Sequence, residues 1–61
     1  MLTTEKLNNY LGCKIGVELN SGKYVYGLLT ELDKLSIKVE FVNKEKVMLI
    51  PIHSIISIRL I

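Results

Sequence analysis

The sequence predicts an all-β fold with a short amino-terminal helix, the strands forming a very small five-stranded barrel whose long second strand bends. Three observations lead there. From Lys14 onward the apolar residues recur at every second position, as in Ile15-Gly16-Val17-Glu18-Leu19 and Ile37-Lys38-Val39-Glu40-Phe41, which is the period of a strand. Polar corners interrupt this alternation at Asn20-Ser21-Gly22, Leu32-Asp33 and Asn43-Lys44-Glu45-Lys46. A glycine, Gly27, falls in the middle of the longest run, where it predicts a bulge or bend.

Residues 3–11 read as the helix. Thr3 can cap it, Glu5 lies in its positive first turn, and Leu7, Tyr10 and Leu11 repeat at helical spacing. Leu2 is placed to staple against Leu7, and Gly12 to end the helix in a left-handed conformation. So short a helix does not persist alone in water, so it is expected to lie over the open mouth of the barrel.

The barrel occupies residues 14–61. Its first strand runs from Lys14 to Leu19 and turns at Gly22, whose freedom at positive φ suits a tight hairpin. The second, Lys23 to Glu31, places Val25 and Leu29 on one face and Tyr24, Tyr26 and Leu28 on the other. After the Asp33 corner the third strand runs from Ser36 to Val42. The fourth, Val47 to Ile50, is apolar on both faces and stops at Pro51, which has no N–H for a ladder. A brief turn through Ile52, His53 and Ser54 leads to the fifth strand, Ile55 to Ile61.

Sixty-one residues allow one domain, residues 1–61. A chain of this size buries only about 60% of the surface it exposes when unfolded. Hydrophobic residues nevertheless make up 49% of it. Met48, Ile50, Ile55, Ile56, Ile58, Leu60 and Ile61 are more apolar side chains than so small an interior can take from two strands. Apolar strand edges invite further strands. Pairing the fourth strand of one copy with the fifth of the next is a head-to-tail contact that repeats until a ring closes.

Composition narrows the function. A net charge of +2 is far from the footprint of a dedicated duplex-DNA binder, so any nucleic-acid contact is local. The single cysteine, Cys13, reads as a small hydrophobe in a reducing compartment. There is no membrane-length apolar run and no secretory signal pattern, and the expected location is cytoplasmic. His53 is the only histidine and stands 40 positions from the only thiol. Neither a metal site nor a catalytic triad is expected, and with them no cofactor, no small-molecule substrate and no enzymatic activity.

Gly22, Gly27 and Asp33, the run Leu32-Asp33-Lys34-Leu35-Ser36-Ile37 and the later Ile50-Pro51-Ile52-His53-Ser54-Ile55 together resemble the Sm-like (LSm) superfamily, and within it the bacterial Hfq-like branch. The resemblance spans residues 3–61 and implies a strongly bent five-stranded SH3-like open barrel under a short helix, assembled as a homo-hexamer or homo-heptamer ring. It further implies single-stranded RNA, U-rich or A-rich, bound by pore-side loops. Carried over, Lys34 and Leu35 flank a base with Ser36 beside them, and His53 offers a ring nitrogen or a stacking face from the other turn. Such contacts suit single strands, whose bases are read by stacking and edge hydrogen bonds.

The chain departs from the Hfq pattern in three places, one of them Glu18 where a tyrosine is expected on the first strand. Pro51-Ile52 stands where a tyrosine and a lysine precede the histidine, and Leu35 replaces a phenylalanine. A second reading therefore stands beside the first: a structural or scaffolding Sm-fold ring without a nucleic-acid ligand, similar to small spore-associated proteins with a comparable Ile-Pro-Ile-His run. Structural alternatives also stand for single residues. Asp33 suits a tight backbone corner, Lys34 and His53 suit solvated turns, and Tyr24 and Tyr26 suit packing against the helix or a neighbouring subunit.

Overall fold

The computed structural model describes residues 3–61. Leu2, expected to staple the helix, lies outside them. Helix α1 covers Thr4–Asn8 and is followed by five strands: β1 (Lys14–Leu19), β2 (Tyr24–Leu32), β3 (Ser36–Phe41), β4 (Lys46–Pro51) and β5 (Ile55–Leu60). Single 3₁₀ turns precede β4 and β5 at Val42–Lys44 and Ile52–Ser54. The strands form one antiparallel sheet in the order β4-β3-β2-β1-β5. It does not close, since β4 and β5 lie at its opposite edges.

The helix is shorter than its 3–11 prediction. Thr3 caps it through its hydroxyl, which accepts from the Lys6 N–H at 3.3 Å, but beyond Asn8 the chain tightens into three-residue turns, Tyr10 N–H to Leu7 C=O and Leu11 N–H to Asn8 C=O. Tertiary bonding explains this ending. Gly12 takes the expected left-handed conformation at φ 82° and donates its N–H to Leu29 C=O at 2.8 Å, which draws the chain into the sheet before another helical turn can form. The helix is held by Leu7, fully buried in the core.

Strand β1 has the bounds expected and those of the others shift by at most one residue, with β4 extended to Lys46 and Pro51. Pro51 ends an edge strand, where its missing N–H faces no ladder partner on one side. Gly22 closes the β1–β2 hairpin at φ 91°, donating its N–H to Leu19 C=O at 2.9 Å. The irregularity in β2 falls between Leu29 and Glu31, not at Gly27. Gly27 instead marks a close approach of β2 to β3.

Alternation builds the core as the sequence pattern requires. Ile15 and Val17 of β1, Val25 and Leu29 of β2, Ile37 and Val39 of β3 and Ile50 of β4 are buried on one face with Leu7, Leu19 and Ile55. Each such side chain contributes about 1.5–3 kcal/mol on leaving water. No polar or charged residue is buried with them among the described residues, so the core makes no internal hydrogen-bond demands. Cys13 is half-buried, unpaired and packed against this cluster. The Lys38–Glu31 ion pair, 2.8 Å long, is exposed on the carboxylate side and adds at most about 1 kcal/mol.

Register shows where the core is left open. Directly paired residues share a sheet face, so Leu60, opposite fully buried Ile15, and Met48, opposite fully buried Val39, both point inward. Leu60 is nonetheless 62% exposed and Met48 37% exposed. Among the described residues nothing covers the interior beside the two free edges. The outward side of β4 adds exposed Val47 and Leu49, and a β5 residue at the register shift, Ile56, is also exposed.

Candidate functional site

The Asp33 corner and the 52–54 turn meet at one end of the sheet. Ser36 pairs with Pro51 at the end of the β3–β4 ladder, and one step beyond it the Ile52 N–H donates to the Leu35 carbonyl at 2.9 Å. This bond carries strand pairing into the two loops. It sets His53 beside Lys34 and Leu35, although the sequence separates them by nearly twenty positions.

The corner is itself bonded. Asp33 donates its N–H to Ser36 C=O at 2.9 Å, and its carboxylate Oδ1 accepts the Lys34 N–H at 2.7 Å. Asp33 thus fills the structural role open to a short acidic side chain in a tight turn. Turning its carboxylate back on the chain, it leaves the Lys34 and Leu35 side chains outside, where both are exposed, Leu35 by 80%.

A groove of about 500 Å³ results, lined by Thr3, Thr4, Lys34, Leu35, His53 and the isoleucines of the second turn. Three of the four residues expected at the site are therefore brought together: Lys34, Leu35 and His53. Ser36 is not among the lining residues; it is half-buried within β3. Thr3 and Thr4 were not expected there. No local pattern marks them, because only the docking of Leu7 into the core brings the helix start against the corner.

The chemistry of the groove is mixed. Leu35, Ile52 and Ile55 provide apolar surface, Lys34 the single formal charge among the described residues, His53 an imidazole and the threonines hydroxyls. Among the described residues no carboxylate lines it, the nearby Asp33 carboxylate being turned onto the Lys34 N–H. Among the described residues no cluster of metal-ligating side chains occurs, and no helix is long and apolar enough to cross a membrane.

Tyr24 and Tyr26 lie on the outward face of the sheet. Their rings stack on each other, centroids 6.4 Å apart and planes 10° from parallel, and Tyr26 covers Gly16 of the neighbouring strand. They pack on the sheet, not against α1, and both remain about half exposed. With Lys14, Phe41, Lys44 and Ile61 they border a second groove of about 520 Å³.

Together these features define a small, mostly β protein: one open five-stranded antiparallel sheet with a short helix over the core and a mixed groove at a sheet end. Compared with family models, curated proteins and solved structures, the chain matches none.

Proposed function

We propose that the chain is an Sm-like subunit of the Hfq-like kind, which assembles head-to-tail into a closed homo-oligomeric ring and binds single-stranded RNA, without catalysis, in the groove of Lys34, Leu35 and His53. The observation that carries the reading is the Ile52–Leu35 hydrogen bond. It unites two loops that the resemblance assigns to one RNA site. An apolar wall suits the face of a base, and a neighbouring cation suits the phosphate that follows it. Repetition around a ring would add the single lysines into a local field much stronger than the net charge of one copy.

Assembly is supported by the two open edges. Met48 and Leu60 point inward but stay exposed, and a β4 edge from another copy laid along β5 would cover both while satisfying the free backbone groups. The ligand class this reading implies is cytoplasmic RNA.

A second reading, a scaffolding ring without nucleic acid, is favoured by the make-up of the same groove. Among the described residues it holds one lysine and, apart from the His53 imidazole, no aromatic ring. Filter binding of oligo-U and oligo-A over a range of salt concentrations separates the two. The RNA reading expects saturable binding that weakens steeply with salt, and an absence of saturable binding at low salt leaves the scaffold.

A further inference from the structure

We infer that Thr4 makes the groove selective for ribose over deoxyribose by exchanging a hydrogen bond with the 2′-hydroxyl of a bound nucleotide; this rests on the RNA-binding reading of the same groove. Thr4 is exposed and lines the groove together with Lys34, Leu35 and His53. The two threonines there are not equivalent. The Thr3 hydroxyl is engaged in capping α1, accepting from the Lys6 N–H, whereas the Thr4 hydroxyl has no hydrogen-bond partner among the described residues.

The other lining groups suit the remaining parts of a nucleotide. Leu35, Ile52 and Ile55 offer surface to the flat face of a base, and Lys34 offers a charge to a phosphate. A sugar joins those two parts, so it lies between the apolar wall and the lysine. A threonine hydroxyl both donates and accepts, as the 2′-hydroxyl does, and this group is what lets a protein tell RNA from DNA at a given position. The side chain acts here, since a helix of five residues brings little dipole to its first turn.

The effect expected is that of one exposed hydrogen bond. Deoxyribose leaves the Thr4 hydroxyl solvated, with no buried orphan, so the preference for RNA is about fivefold and no larger.

The test is a cycle of two sugars against three proteins, read by fluorescence anisotropy with oligo-rU and oligo-dU of equal length at low salt. The wild-type chain is expected to bind oligo-rU about fivefold more tightly. Thr4→Val should bring oligo-rU down to the oligo-dU level and leave oligo-dU unchanged, while Thr4→Ser, which keeps a hydroxyl, should retain the preference. Equal affinities of the wild type for the two sugars, or an equal weakening for both in Thr4→Val, overturns the role of Thr4 and leaves the groove standing. Binding of neither polymer overturns the groove as an RNA site, and this inference with it. Circular dichroism of the two variants identifies a weakening caused by unfolding, in which case Thr4→Ala, which removes the hydroxyl and favours the helix, takes the place of Thr4→Val with the same expected and overturning outcomes.

Discussion

A methyl group placed on Gly27 would stand 2.7 Å from the Glu40 carbonyl oxygen and 2.6 Å from Cγ1 of Val39. Strands β2 and β3 therefore approach more closely than any side chain at position 27 permits. The carbonyl belongs to a paired strand and cannot swing aside as a flexible side-chain end would. Gly27→Ala is expected to destabilise the fold by about 1–3 kcal/mol, the usual cost of overpacking. Urea denaturation measures it, and an unchanged midpoint would show that the two strands can separate at no cost.

The tip of the β3–β4 hairpin holds the opposite case. Glu45 adopts φ 50° and ψ 38°, the left-handed region, where a side chain costs about 1–2 kcal/mol. It is exposed, so no packing compensates. Glu45→Gly is expected to raise stability by about 0.5–1 kcal/mol, the gain being reduced by glycine's greater freedom when unfolded. A thermal melt that moves downward would contradict it.

Met48 tests the open edge. On β4 it faces inward but remains 37% exposed, so a lysine there has a route to water in the isolated chain and would become desolvated only beneath another copy's strand. Met48→Lys is expected to reduce the particle mass to that of a monomer in light scattering while the far-ultraviolet spectrum stays that of a β protein. A variant of unchanged mass would remove the edge-pairing scheme.

Lys34 tests the groove. Its charge is the only formal one there among the described residues, and its main-chain bond to the corner does not depend on its side chain. Lys34→Ala should weaken oligo-U binding and make the slope of log affinity against log salt shallower by about one, the share of a single neutralised phosphate. A weaker affinity with an unaltered slope would assign the lysine a role other than pairing with phosphate.

Much of the fold was legible locally. Alternation in Ile15-Val17-Leu19 and Ile37-Val39 marked both the strands and their buried faces, since a period of two leaves a sheet residue only two sides to choose from. Gly12 and Gly22 marked turns because positive φ strains every other residue type. The site was half legible. Lys34, Leu35 and His53 do share a groove, but Ser36 lies within its strand and Thr3 and Thr4 join from the helix.

By itself, then, the sequence determined which residues turn, which extend and which seek cover, because those preferences depend on a residue and its near neighbours. Tertiary structure alone decided that the helix ends at Asn8, that the β2 irregularity lies near Thr30, that Glu45 carries the strained conformation and that the helix start borders the His53 groove. The helix ending is settled by a distant partner, the Leu29 carbonyl for Gly12, and the meeting of the groove's two loops by another, the Leu35 carbonyl for Ile52. A hydrogen bond across such a separation depends on the whole sheet having formed, and no local pattern encodes it.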